Sequence, residues 1–315
     1  MVASPDRALL RATTFGCSAG GLEQLLAQRA DIHAETDRGQ SPLQLAAKAG
    51  HAHLVEALVA ARADPDHGNS CDGTPLYSAA YHDNEKVVDV LLRCRADINL
   101  AFHRCPPPLF GAAHTGNLEL VQKLLAERAN VDEKANWDGS TTAILQTSLH
   151  GYSQVVAELI AARADVNVRR TDTTVMDCGA TSVLLAAKRG HAETVKLLLQ
   201  SRCSVNASNT NSESPLFGAA FHNHPETVQV LLEGRADLQQ RAEVEDMPTA
   251  LHAAAKRDNL EVAQLLLIAR ADLTCLSPDG HSPLDLAKSD EMRQILGGGQ
   301  KRARSENAES PGSPG

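Results

Sequence analysis

Aromatic residues are scarce, with one Trp, three Tyr and five Phe in 315 residues. A core built around large rings is therefore excluded, and Ala, Leu and Val must supply most of what is buried. Cysteine is sparse and poorly placed for bridging: seven thiols, an odd number, with no Cys-x-x-Cys pair. That argues against a disulfide framework and a structural zinc site and fits small thiols in a reducing compartment. No stretch reaches the ~20 apolar residues of a membrane span, and the opening MVASPDRALLRATTFG has no apolar run after its charges. A soluble, intracellular protein is the expectation. Positive charge is outnumbered, 30 Lys and Arg against 39 Asp and Glu for a net charge of -9, which disfavours whole-protein attraction to nucleic acid. Chemistry-bearing motifs are missing too: no Gly-x-Ser-x-Gly elbow, no His-Glu-x-x-His, no phosphate-cradling Gly loop and no dinucleotide fingerprint. No catalytic residue, cofactor, small-molecule substrate or metal site is expected, since His51-x-His53 and His222-x-His224 are only weak chelating pairs.

What the sequence has in abundance is one triplet. Arg-Ala-Asp begins at 29, 62, 95, 163, 235 and 270, with weaker copies at Arg128 and Arg202, and the eight arginines are separated by 33, 33, 33, 35, 39, 33 and 35 residues. A period in this range marks a stacked repeat protein. A second series, Ser41, Thr74, Pro107, Thr142, Thr181, Ser214, Thr249 and Ser282, places its first seven members 21 residues before the next Arg. All length variation falls in the other interval, from Arg to the following member, which is 12 residues in five copies and 14, 18 and 14 in three. Insertions are tolerated where backbone crosses the surface, so the constant part is packed structure and the variable part is loop.

Within the constant part, SPLQLAAKAG offers a capping hydroxyl, then Pro at the first helical position, then paired alanines that let a neighbouring helix approach. After Gly50, Leu54, Val55, Leu58 and Val59 line one face of a second short helix. The loops contain Asp72-Gly73, Asp138-Gly139 and Asp279-Gly280, which favour tight hairpin-type turns. Each unit reads as helix, turn, helix and projecting finger, and none can bury its apolar face without a neighbour.

SPLQLAAKAGHAHLVEALVAARAD, TPLYSAAYHDNEKVVDVLLRCRADIN and TALHAAAKRDNLEVAQLLLIARADL resemble the ankyrin repeat, whose pattern runs through Thr-Pro-Leu-His, paired alanines, Gly-His, a Leu-rich helix and Gly-Ala-Asp. The resemblance covers about residues 8 to 296 and implies an all-α solenoid of eight to nine helix-turn-helix units with β-hairpin-like fingers. The first unit, 8–32, and the last, 280–296, depart from the pattern and read as end caps, so 1–296 is expected to be the solenoid. From 297 to 315, GGGQKRARSENAESPGSPG reads as a disordered tail in which Lys301, Arg302 and Arg304 form a weak basic cluster. The localisation expected is cytoplasmic, with nuclear import as the option that this cluster leaves open.

The pattern's usual Gly before Ala-Asp, suited to a left-handed helix exit, is Arg here in all eight copies. A non-glycine residue in that conformation costs on the order of 1 kcal/mol. Stacked arginines and the aspartates two residues on are expected to form an exposed ladder of weak ion pairs, an architectural feature.

The resemblance implies a non-catalytic scaffold or adaptor, a monomer that binds another protein along a concave face through the fingers and the exposed ends of the first helices. The residues after each alanine pair include Tyr81-His82, His114, His150, Lys188-Arg189, Phe221-His222 and Lys256-Arg257, a lining of histidine, aromatic and basic residues without an acid. Trp137 beside a finger turn joins them, and the longest finger, 168–180, lies next in sequence order of the fingers. An acidic or phosphorylated segment is the expected partner chemistry. The alternative readings are nucleic-acid binding through Lys188, Arg189, Lys256, Arg257 and the tail, and a regulatory subunit of an enzyme complex.

Overall fold

The structure, a computed structural model, describes residues 4–70, 72–102, 105–135, 141–171, 177–244 and 247–308. The described residues form seventeen α-helices and no strand. They are α1 (Pro5–Phe15), α2 (Ala19–Ala27), α3 (Pro42–Ala49), α4 (Ala52–Ala60), α5 (Pro75–Tyr81), α6 (Glu85–Arg93), α7 (Pro108–Thr115), α8 (Leu118–Ala126), α9 (Ala143–His150), α10 (Ser153–Ala161), α11 (Ser182–Lys188), α12 (Ala192–Gln200), α13 (Pro215–Phe221), α14 (Pro225–Glu233), α15 (Ala250–Arg257), α16 (Leu260–Ile268) and α17 (Asp290–Ala308). The chain divides into two compact units, Met1–Thr147 with Gln154–Asp165, and Ser148–Ser153 with Val166–Gly315.

The first helices begin where the hydroxyl series predicts. Ser41, Thr74, Ser214 and Thr249 each accept the backbone N–H three residues on, and Ser41 with Gln44 forms a reciprocal capping box. Each cap is worth about 1 kcal/mol. Pro42, Pro75, Pro108 and Pro215 occupy the first turn, where the missing N–H costs nothing. In the first unit α1, α3, α5 and α7 pack in sequence and α2, α4 and α6 pack behind them; in the second, α11, α13 and α15 pack in front of α12, α14 and α16. The alanine pairs Ala46-Ala47, Ala79-Ala80, Ala112-Ala113, Ala186-Ala187 and Ala219-Ala220 are fully buried between first helices.

Every second helix ends in the same closure. All eight arginines adopt left-handed backbone, with φ running from 62° at Arg235 to 76° at Arg62. The next N–H returns to the carbonyl five residues back, as in Ala63 to Leu58, 2.9 Å, and Ala236 to Leu231, 3.0 Å, the double-bonded turn that glycine usually completes.

The expected Arg–Asp ladder is not formed. Among the described residues no ion pair includes any of the eight arginines, all of which are exposed. The aspartates instead close their own turns, Asp64 Oδ1 accepting the Asp66 N–H at 3.0 Å and Asp97 Oδ1 the Asn99 N–H at 2.9 Å. The ladder that does run between repeats uses the residue two positions further on. Asp97 donates its N–H to Asp66 Oδ1 (2.8 Å), Asn130 to Asn99 Oδ1 (2.7 Å), Ser204 to Asn167 Oδ1 (3.0 Å) and Asp237 to Asn206 Oδ1 (2.9 Å). A short acceptor fixed by a backbone turn satisfies a neighbouring N–H at less entropic cost than a long Arg side chain.

Among the described residues the fingers carry isolated antiparallel bridges, Asn69 with Gly73, Ala135 with Thr141 and Arg169 with Thr181. At the chain's end, residues 283–286 form turns where a first helix would stand, although Ser282 and Asp285 exchange the same reciprocal bonds as Ser41 and Gln44. The boundary expected at 297 also differs: α17 runs through Gly297–Gly299 to Ala308.

Candidate interaction site

The sequence-predicted residues fall into two groups. In the first unit, Tyr81 and His82 end α5 and His114 lies near the end of α7. Tyr81 is 38% exposed and stacks on His114, centroids 5.1 Å apart and planes 26° from parallel. Tyr77 lies one turn before Tyr81, 5.8 Å between rings, and Phe110 one turn before His114 at 6.4 Å. His82 Nδ1 donates to the Ser78 carbonyl at 2.9 Å, so its Nε2 is an acceptor while the ring is neutral. These side chains enclose an open cleft with Lys48, Asp72 and Cys105 at its edges.

In the second unit, Lys188, Phe221, His222 and Arg257 converge on the ends of α11, α13 and α15. The Arg257 guanidinium lies 4.0 Å above the Phe221 ring, a cation–π contact, and His222 meets Phe221 edge-on at 5.0 Å. Burial, with Lys188 and Arg257 nearby, holds the His222 ring below its ordinary value near 6.5. Arg189 is exposed beside the group, and Lys256 is half-buried. His150, at the register of His82 and His222, stacks on Tyr152 with centroids 5.6 Å apart. Trp137 lies outside the described residues.

One premise of the sequence reading is overturned: the lining does contain acids, brought in by the loops. Lys48 Nζ meets Asp72 Oδ1 at 2.7 Å. Lys188 Nζ meets Asp177 Oδ1 at 2.6 Å and Glu213 Oε2 at 2.8 Å, with its side chain only 18% exposed. Burial alone would lower the Lys188 pKa, but the hydrogen bonds to those two carboxylates outweigh it and raise it. For Asp72, burial pushes upward and the bonds from Lys48 and Gln40 prevail, leaving its pKa lowered. Lys188 is thus an internal clamp between a finger and the helix row, with little charge left for a partner. In sequence Asp72 and Glu213 stand two and one residues before the capping Thr74 and Ser214, and only the packing turns them toward the lysines.

The weak chelating pairs have structural employment. His53 Nε2 is 2.7 Å from the Cys17 carbonyl, and His224 Nε2 is 3.2 Å from the Lys188 carbonyl. Asn84 and Asn259 make the same return to the preceding first helix, at 2.9 and 2.7 Å. Among the described residues no three His, Cys, Asp or Glu side chains gather as a metal site would require. No helix among them is long and apolar enough to cross a membrane.

Family models agree with this architecture. A model of three tandem ankyrin repeats matches residues 9–101 and 146–242, and a single ankyrin-repeat model matches 107–136 and 249–277. No curated protein matches the chain. Repeats of this kind generally mediate protein–protein interaction and are generally non-catalytic. With its all-α repeats matched over well more than half of their length, the chain belongs to the ankyrin-repeat family.

Proposed function

We propose that the protein is a non-catalytic scaffold or adaptor that holds a partner polypeptide on the exposed ends of its first helices. The observation that carries this reading is the pair of aromatic clusters at equivalent register, Tyr77–Tyr81–His82 in one unit and Phe217–Phe221–His222 in the other. Aromatic side chains in partly enclosed positions are common interface anchors. Helices locked by caps and buried alanine pairs present them without an ordering cost on binding.

A second reading, an acidic or phosphorylated segment as the partner, rests on Arg189 and Arg257, because Lys188 is already satisfied by two carboxylates. Raising the salt concentration separates the two, since an aromatic anchor is little affected and an ionic one is weakened. The test of the scaffold itself is capture of partners from native lysate by wild type and by a Tyr81→Ala, Phe221→Ala variant with the same melting behaviour. Proteins retained by wild type and lost by the variant support the proposal. Equal retention moves recognition elsewhere on the molecule.

A further inference from the structure

Second helices are tied to the repeat before them by the side chain at their N-terminus. In the first unit Asn84 makes this joint for α6, its Nδ2 donating to the Ala47 and Lys48 carbonyls, each at 2.9 Å. In the second unit the same register holds histidine at α12 and α14. His191 Nε2 donates to the Leu149 carbonyl and His224 Nε2 to the Lys188 carbonyl, both at 3.2 Å. A carbonyl partner requires the hydrogen on Nε2, which leaves Nδ1 a bare acceptor while each ring is neutral. That nitrogen is packed against a turn glycine, since a methyl group on Gly151 would overlap His191 Nδ1 and one on Gly190 would overlap His224 Nδ1.

Neither ring caps its own helix, so a second proton on Nδ1 would meet a glycine in place of an acceptor. It would also put an imidazolium at the positive end of α12 or α14. The surroundings add further cations. Lys188 and Arg189 end α11, Arg257 lies over Phe221, and the His222 ring stacks 6.3 Å from that of His224. His150 follows Leu149 directly. The acids of the packed elements are engaged or exposed: Asp177 and Glu213 hold Lys188, Asp258 accepts the Ser289 hydroxyl at 2.6 Å, and Glu193 and Glu226 are exposed. Among the described residues no ion pair includes either ring. Burial first, then Arg189 and His224, outweigh the bond to Leu149 and hold the His191 ring below its ordinary value near 6.5.

We propose that acidification opens the second unit at these two joints: as imidazole takes up its second proton, His191 and His224 turn out to solvent and release the Leu149 and Lys188 carbonyls. The joints of α6 and α8 in the first unit, made by Asn84 and Asn117, carry no imidazole at that register and stay closed. The device lies beside the second aromatic cluster, because Phe221 and His222 stand three and two residues before His224. It depends on the fold alone and holds whether or not that cluster binds a partner.

The test is amide hydrogen exchange of the full chain at about pH 7 and about pH 5.5, on either side of the ordinary imidazole value, with rates corrected for the intrinsic effect of pH. Opening of α12 and α14 is expected to rise on acidification by about two- to fivefold for each ring, the worth of a charge at a helix terminus, beyond any rise in α6 and α8. In a His191→Asn, His224→Asn variant that excess should vanish. Asparagine is accommodated at this register in both units, as Asn84 and Asn259 show. An equal rise in all four helices, or no rise in any, overturns the inference from wild type alone, without the variant. An excess that persists in the variant also overturns it and assigns the opening to other groups.

Discussion

Arginine at the helix exits is the residue most repeated in this chain and one of the least engaged in the fold. Eight arginines hold φ between 62° and 76° while exposed and outside every ion pair among the described residues. The left-handed conformation costs a side-chain-bearing residue about 1–2 kcal/mol, and glycine returns part of that gain by loosening the unfolded chain. Arg62→Gly or Arg163→Gly is therefore expected to stabilise the protein by about 0.5–1 kcal/mol, read as a higher urea midpoint, while Arg→Ala at the same sites gives no such gain. Histidine behaves oppositely, because its environment is used. His252 is fully buried with Nδ1 2.7 Å from Thr249 Oγ1, and burial, reinforced by Arg241, lowers its pKa from an ordinary 6.5. His191 and His222 are lowered too, by burial first. The folded state thus prefers three neutral rings, and the stability they contribute is complete above pH about 6.5 and is lost as pH falls below it. The urea midpoint should drop between pH 7 and 5, and His252→Gln should make that drop shallower; an unchanged slope would remove His252 from the cause.

At the scale of helices and fingers, the two clamping lysines separate by burial. Lys188 is 18% exposed between two carboxylates, whereas Lys48 is 38% exposed with one. Lys188→Met should cost about 1–3 kcal/mol because it leaves Asp177 and Glu213 facing each other half-buried, and Lys48→Met about 0–1 kcal/mol. Equal losses in urea denaturation would contradict the clamp. In α17, an added Cβ at Gly297 or Gly298 meets nothing within 4 Å, so changing both to Ala should raise helicity and stabilise that segment by about 0.5–1 kcal/mol each. The helix pairs were legible because caps, alanine pairs and the fixed 21-residue interval are local signals. The left-handed Arg was legible for the same reason. The clamps were not, since Lys188 and Glu213 are 25 residues apart and only packing shows that a finger folds back onto a helix end. The acceptor ladder was hidden by a plausible rival: opposite charges at Arg and Asp suggested pairing, while a shorter Asp or Asn two residues on was already positioned by its turn. Composition made 297–308 look unstructured, and the helix there continues one that starts at Asp290 on ordinary helix-forming residues.

For the molecule as a whole, the repetition divides into two kinds. Positions that recur in nearly every unit, such as the capping hydroxyl, the alanine pair and the Arg closure, are spent on stacking. Positions that differ between units, such as Tyr81, Phe221 and Arg257, are the ones proposed for recognition. The most direct measurement is the dissociation constant of a captured partner for wild type, for Tyr81→Ala, Phe221→Ala, and for Arg62→Gly, Arg95→Gly, Arg163→Gly. The first-helix variant is expected to bind at least ~10-fold more weakly, as loss of interface anchors does, with the arginine variant unchanged. Weakening confined to the arginine variant would make the helix exits the binding surface and the aromatic clusters merely part of the packing.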